Sequence, residues 1–271
     1  MKSYLRALAF LTVAPLPFIR FEKGGEDLTA AAVAFPLAGA TLGLVLAASA
    51  YAIMLIIPPY PTAVVVMALS FFLTRGLHFD GLADTADGLM GTTDREKAFK
   101  AMKDSAIGVM GAAVLLFVYL LKLSLLACLT TGAIPAAVFL MIVAGRWAIV
   151  CSGSWFPPAR DRGLGDLFLR GLKPAIFLKA SLVAILVLIL VFLWRPDLLL
   201  PGAIGVLVAL GAAYLLALYA SYRLGGLTGD ILGAASELGE LFFLIGYFVV
   251  LQSGDTAEPI YRTVILLAER I

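Results

Sequence analysis

Leu178-Lys-Ala-Ser-Leu-Val-Ala-Ile-Leu-Val-Leu-Ile-Leu-Val-Phe-Leu-Trp194 carries one charge in seventeen residues. As a helix, such a run crosses most of the ~30 Å hydrocarbon core of a bilayer. The rest of the chain follows suit. Of its 271 residues 62% are hydrophobic and only 14% charged, where soluble domains average about 45–50% and about 25%. The expected fold is all-α, a polytopic integral membrane helical bundle formed by residues 1–271 as a single domain.

Apolar runs place spans at roughly 30–57, 62–77, 107–129, 136–151, 178–194, 202–222 and 241–252, about seven transmembrane helices. Pro36 and Gly39 are expected to kink the first. The last is short unless it begins inside the glycine-rich stretch before it. Residues 3–19 are apolar but broken by Pro15 and Pro17, which suits an interfacial or re-entrant helix. No small-residue cleavage site marks them as a cleavable signal. A helix over 260–271, too short to span, is expected after an acidic turn at 255–258. Cys128 and Cys151 lie in apolar runs without metal-ligand spacing and read as packing residues.

Charge sets the orientation. Polar loops at about 76–106, 152–177 and 223–240, with the N-terminal segment, hold nearly all the lysines and arginines, whereas the opposite turns offer Arg195 and Arg262. The positive-inside rule puts the three loops in the cytoplasm, with the chain in the cytoplasmic (inner) membrane among its lipids. Arg95, Lys97, Lys100 and Lys103 mark a surface helix. A transporter would more often place its polar groups at mid-membrane. Nothing in the pattern expects a nucleic-acid partner, and a homo-oligomer is compatible with it.

The chemistry concentrates in Arg75-Gly-Leu-His-Phe-Asp-Gly-Leu-Ala-Asp-Thr-Ala-Asp-Gly88, which holds the only histidine, His78. Asp80, Asp84 and Asp87 stand at i, i+4 and i+7, within about 60° on one helical face. Crowded carboxylates repel and favour a counter-charge. A hard divalent cation such as Mg²⁺ suits them. Asp104-Ser-Ala-Ile-Gly-Val-Met-Gly111 follows, where Asp104 is either functional or a helix cap and Gly108 and Gly111 are packing positions. Gly225-Gly-Leu-Thr-Gly-Asp230 is a glycine-rich loop that can present N–H groups to phosphate. It is not a P-loop, because no Gly-Lys-Ser/Thr ends it. Asp230, Glu237 and Glu240 are further metal or hydroxyl contacts. Lys122, inside the third span, is a functional suspect or a snorkelling side chain. Arg146 and Trp147 read as interfacial anchors.

Three blocks, Gly76-Leu-His-Phe-Asp-Gly-Leu-Ala-Asp-Thr-Ala-Asp-Gly88, Met102-Lys-Asp-Ser-Ala-Ile-Gly108 and Gly225-Gly-Leu-Thr-Gly-Asp-Ile-Leu-Gly-Ala-Ala-Ser-Glu-Leu-Gly-Glu240, together resemble the adenosylcobinamide-GDP ribazoletransferase family, also called cobalamin-5'-phosphate synthases. Ala9-Phe-Leu-Thr-Val-Ala-Pro-Leu-Pro17 and Ala34-Phe-Pro-Leu-Ala-Gly39 fit as well. Arg75 departs from the family's usual glycine, and Lys103 from its frequent arginine. The resemblance implies a membrane enzyme that needs Mg²⁺. It joins adenosylcobinamide-GDP to α-ribazole or α-ribazole 5'-phosphate, releases GMP and forms adenosylcobalamin or its 5'-phosphate.

On that chemistry Asp80, Asp84 and Asp87 are assigned to the metal. Asp104 completes the metal shell or serves as base. Asp84, Asp104 and His78 form the catalytic group, His78 orienting a carboxylate or touching phosphate. Gly225, Gly226, Thr228, Gly229, Asp230, Ser105 and Lys122 are placed on the substrate side, with Arg160 and Arg162 as secondary phosphate contacts. The alternative is a CDP-alcohol phosphotransferase acting on lipid head groups. Its Asp-x-x-Asp-Gly-x-x-Ala-Arg order is not met here, where Asp-Gly-x-Ala-Asp-x-x-Asp-Gly stands.

Overall fold

The computed structural model describes residues 2–14, 26–160 and 164–268, with side chains over 2–14, 28–160 and 165–252. Pro15, Pro17, Arg20, Lys23, Asp161 and Arg162 therefore lie outside the described residues. Among those described there are twelve α-helices and no strand. They are α1 (Lys2–Leu11), α2 (Glu26–Ala32), α3 (Phe35–Met54), α4 (Pro59–Thr74), α5 (Leu77–Gly91), α6 (Arg95–Ala101), α7 (Val109–Ala127), α8 (Ile134–Gly153), α9 (Leu164–Gly171), α10 (Pro174–Trp194), α11 (Leu199–Leu224) and α12 (Gly229–Ala268). A single 3₁₀ turn, Pro196–Leu198, joins α10 to α11.

Six helices are long and apolar enough to cross a membrane: α3, α7, α8, α10, α11 with its leading turn, and α12 over Gly229–Gln252. The broken pair α4–α5 makes a seventh when taken together, bent by 91°. Its apolar arm is α4. At 15 residues with three aspartates, α5 does not cross by itself. The polytopic helical bundle expected from composition is thus what forms.

Prolines set several starts. Pro59, Pro135 and Pro174 sit in the first turns of α4, α8 and α10, where a missing N–H costs nothing. Asp94 caps α6 by accepting from Lys97 N at 2.8 Å, with Glu96 in the first turn and Lys100 in the last. The expected surface helix is present. The first apolar run is split rather than kinked: α2 ends before the turn at Ala34, and Pro36 enters the first turn of α3. No acidic turn interrupts 255–258, whose backbone continues α12.

The central helix is α8, buried along nearly its whole length. Small residues let its neighbours approach, as in many membrane interfaces. A Cβ at Gly43 would meet Phe139 O at 2.9 Å, and one at Gly246 would meet Gly205 Cα at 3.1 Å. These contacts lock α3 onto α8 and α12 onto α11.

Buried charge ties the last span to the middle of the bundle. Lys122 Nζ donates to Glu237 Oε2 at 2.6 Å and Glu240 Oε2 at 2.8 Å. Arg146 Nη1 donates to Glu240 Oε1 at 2.8 Å and Ser236 Oγ at 2.7 Å. Two cations thus meet two carboxylates in a neutral cluster across α7, α8 and α12. Arg146 is no interfacial anchor, since it is 1% exposed. Neutralised in this way, Glu237 and Glu240 sit inside a helix that starts at Gly229, not in a loop reaching residue 240.

Candidate active site

The site begins at the elbow between α4 and α5. Arg75 and Gly76 both take left-handed backbone, with φ 56° and 64°. Their N–H groups close the end of α4 on Phe72 O at 3.2 Å and Phe71 O at 2.9 Å. Gly76 also has no room for a side chain, because a Cβ would meet the Phe71 ring at 2.7 Å. Two left-handed residues in succession throw α5 sideways and present its acidic face to a cavity.

That cavity has a volume of about 810 Å³, within the range of small-molecule sites. Asp80 and Asp84 line it from α5, and Asp104 and Ser105 from the segment after α6. Arg75 and Lys103 are its cations, while Phe10, Phe71, Phe79 and Leu115 supply apolar wall. Asp104 Oδ1 accepts from Ala106 N at 3.0 Å, which leaves its other oxygen without a partner among the described residues.

Asp87 does not line the cavity with Asp80 and Asp84. Its carboxylate caps α7, with Oδ2 accepting from Gly108 N and Oδ1 from Gly111 N, both at 2.8 Å. Gly108 and Gly111 are glycines because a Cβ at either position would strike that carboxylate. His78 is 3% exposed, does not line the cavity, and its Nδ1 has no hydrogen-bond partner among the described residues.

Asp230 comes to the acids from α12. A Cβ on Gly81 would lie 2.7 Å from Asp230 O, so α5 and α12 touch backbone to backbone between Asp80 and Asp84. Burial first, then the charges of Asp80, Asp230 and Asp87, raise the Asp84 pKa to about 6. Among the described residues no three His, Cys, Asp or Glu side chains are already gathered closely enough to hold a metal ion.

The glycine-rich loop is a pinned corner rather than an open phosphate cradle. Leu227 N donates to Pro157 O at 2.9 Å, and Ala159 N to Leu227 O at 2.8 Å. Gly225 is left-handed, φ 76°, and a Cβ on Gly226 would meet Pro157 O at 2.5 Å. Thr228 Oγ1 accepts from Ile231 N at 3.4 Å and donates to Asp230 Oδ2 at 3.3 Å, which starts α12 and steadies Asp230. Arg95 buttresses the corner from α6, donating to Leu224 O at 2.7 Å and Ala159 O at 3.1 Å. Arg160 lies over the Phe99 ring at 3.8 Å and donates to Phe99 O at 3.1 Å. Burial lowers its pKa, against the pull of Asp166 and Asp230.

Asp80, Asp84, Asp104 and Ser105 are therefore brought together in one cavity, with Asp230 beside two of them. Asp87, His78, Lys122 and the glycines of 225–229 stand outside its lining. Lys122 is fully buried against Glu237 and Glu240. Sequence reasoning did not select Arg75 as a wall residue. Its only signal there was an arginine where the elbow favours glycine.

Fold and site together define a polytopic helical membrane protein with an acid-lined cavity at a helix elbow. Residues 3–248 match the model of the family described as cobalamin-5-phosphate synthase, and the chain belongs to that family. Curated relatives named adenosylcobinamide-GDP ribazoletransferase include those of Desulfitobacterium hafniense (strain Y51), 36% identical over 93% of this chain and 98% of the relative, and Chlorobium phaeobacteroides (strain BS1), 37% identical over 93% and 100%. The relative from Roseiflexus sp. (strain RS-1) is 40% identical over 88% of this chain and 86% of its own. No solved structure matches.

Proposed function

We propose that the chain transfers the phospho-cobinamide group of adenosylcobinamide-GDP to α-ribazole or its 5'-phosphate, with release of GMP. This is the final nucleotide-loop assembly step of cobalamin biosynthesis. The observation that carries the mechanism is the joint presence of Asp80, Asp84 and Asp104 in one cavity large enough for a nucleotide.

Mg²⁺ is the proposed cofactor, and the donor set suits it. The cavity offers hard carboxylate oxygens, and burial first, then the charges of Asp80, Asp230 and Asp87, raise the Asp84 pKa, an environment that a divalent cation would relieve. Mg²⁺ is commonly held by one or two carboxylates with substrate phosphates and water, so no complete protein cage is required. Asp80 and Asp84 would hold it, with Asp230 alongside. When bound, Mg²⁺ supplies charge to offset the diphosphate and the leaving GMP. Asp87 serves the site through α7, whose first turn it fixes behind Asp104 and Ser105.

In the transfer a ribose hydroxyl oxygen bonds to the phosphorus carrying the corrinoid's aminopropanol arm. The bond from that phosphorus to the GMP oxygen breaks. The hydroxyl proton passes to a carboxylate, here assigned to Asp104, an assignment supported by its position in the cavity lining and by an oxygen that Ala106 N does not occupy. The apolar wall positions the reactants and limits water. The site opens to the cytoplasm by the distribution of lysines and arginines, in the inner membrane.

The test is GMP release by the purified protein in detergent, supplied with adenosylcobinamide-GDP and α-ribazole 5'-phosphate, with and without Mg²⁺. GMP is expected only with both substrates and the metal. Release of CMP from a CDP-alcohol, without GMP release, would overturn the reading. Metal-independent turnover would remove Mg²⁺ from it.

A further inference from the structure

We propose that the bundle holds one zwitterionic phospholipid, of the phosphatidylethanolamine class, in a groove between α3 and α10 that ends at the Arg195–Asp197 ion pair. The inference rests on the membrane-spanning bundle and is independent of the reaction.

The first observation is shape. The groove has a volume of about 990 Å³ and is walled by α3, α10 and the start of α8. Small residues, Ala47 of α3 and Ala136 of α8, make its inner wall. Large exposed residues make its rims, Leu44 and Tyr51 on one side, Leu190 and Trp194 on the other. Along α3 the lining runs from Ala40 to Leu55, a rise of about 22 Å. One leaflet of a bilayer with its headgroups measures about 20–22 Å. A furrow of this length on a membrane-spanning surface is filled by hydrocarbon, because an empty one forfeits the contacts of its wall atoms.

The second observation is how the groove ends. The spans alternate in direction, so the ends of α3 and α10 and the start of α8 share one face of the bundle. The acid-lined cavity, at the end of α4 and the start of α7, lies at the other. Arg195 is the one charged residue among the described lining residues. Its Nε and Nη2 donate to Asp197 Oδ1 at 2.9 Å and Oδ2 at 2.7 Å. Both side chains are open to the surroundings, 39% and 57% exposed. Nη1 has no hydrogen-bond partner among the described residues, and each carboxylate oxygen keeps room for a further donor. Tyr51 and Trp194 beside them are of the type that marks headgroup level.

The third argument matches charge to charge. Arg195 and Asp197 cancel, so an anionic headgroup loses to the carboxylate what it gains from the guanidinium. A zwitterionic headgroup meets both. Its phosphate accepts from Nη1 of Arg195, and its primary ammonium donates to Asp197. A quaternary ammonium has no N–H for that carboxylate, which disfavours phosphatidylcholine.

The experiment reconstitutes the protein in vesicles of equal parts phosphatidylethanolamine, phosphatidylglycerol and phosphatidylcholine. The protein is then re-extracted in mild detergent, and native mass spectrometry counts the lipid retained per chain. Wild type is expected to keep one phosphatidylethanolamine, favoured about fivefold over either other lipid, which is what one exposed charge pair can provide. Asp197→Asn removes the negative charge at an exposed position and should turn the preference to phosphatidylglycerol, with thermal unfolding showing the variant folded. Ala136→Phe fills the groove and should lose retained lipid of every class. Equal retention of the three lipids would mean ordinary lipid contact and overturn the proposal. So would retention of none, a preference of wild type for phosphatidylglycerol, or an Asp197→Asn variant with the wild-type preference. If Ala136→Phe fails to fold, the Asp197→Asn comparison decides alone. Each of these outcomes is read from bound lipid, so failure here leaves the proposed reaction standing.

Discussion

Asp87 grips the first turn of α7 through Gly108, its Oδ2 accepting from Gly108 N at 2.8 Å while Oδ1 takes Gly111 N. The third acid of the motif thus holds the segment that carries Asp104 and Ser105. Asp87→Ala should cost about 1–2 kcal/mol, as the loss of a helix cap does. Gly108→Ala should do similar damage, because its Cβ would collide with the Asp87 carboxylate. Thermal unfolding of the detergent-solubilised protein measures both. A stable Gly108→Ala variant would contradict the contact.

Asp84 differs in kind. Asp84→Asn should lower GMP release at least a hundredfold while the protein stays folded. In a chelator the same variant should be more stable than wild type above about pH 6. The folded carboxyl titrates at about 6 against an ordinary 3.8, so folding favours its protonated form. Ionised Asp84 therefore costs stability above pH 6, and the cost vanishes as pH falls through 3.8. Unfolding temperatures across pH 4 to 8 check this, and a stabilisation that grows toward acid pH would show the sign to be wrong.

The buried cluster predicts unequal penalties. Glu240 serves both Lys122 and Arg146, whereas Glu237 serves Lys122. Glu240→Gln leaves two cations facing one carboxylate, and breaking such a pair typically costs about 3–5 kcal/mol. Glu237→Gln should cost less. Combining Lys122→Met with Glu237→Gln should be milder than the sum of the single changes by at least about 1 kcal/mol. Chemical unfolding of the four proteins decides it, and simple additivity would mean that the charges act separately.

Gly81 is where α5 meets α12. A methyl group there would press on Asp230 O at 2.7 Å. Gly81→Val should therefore move Asp230 away from Asp80 and Asp84 and reduce GMP release at least tenfold. Full activity in this variant would detach Asp230 from the site.

The membrane bundle and the acidic face of α5 were legible because both are local: span length follows from apolar runs, and the shared face of Asp80, Asp84 and Asp87 from helical spacing. The division of labour among those acids was not, since the Asp87 partners lie 21 and 24 residues away. Glu237 and Glu240 looked like loop residues because only Lys122 and Arg146, more than 90 positions distant, make them tolerable inside a helix. Arg146 was misjudged as an anchor for the same reason. The glycines at 225 and 226 were legible as a turn, but not the clasp with Pro157 and Ala159 that requires them.

The neutral cluster also bears on how the chain is made. Lys122 and Arg146 emerge from the ribosome well before Glu237 and Glu240, so α7 and α8 enter the bilayer as cationic helices with no partners. An unpaired charge at depth is expensive, and such helices stay loosely held until α12 arrives. Completion of the fold is thereby coupled to completion of synthesis. A chain truncated before residue 237 would carry two unpaired cations in its interior, a defect visible to the proteases that clear unfinished membrane proteins.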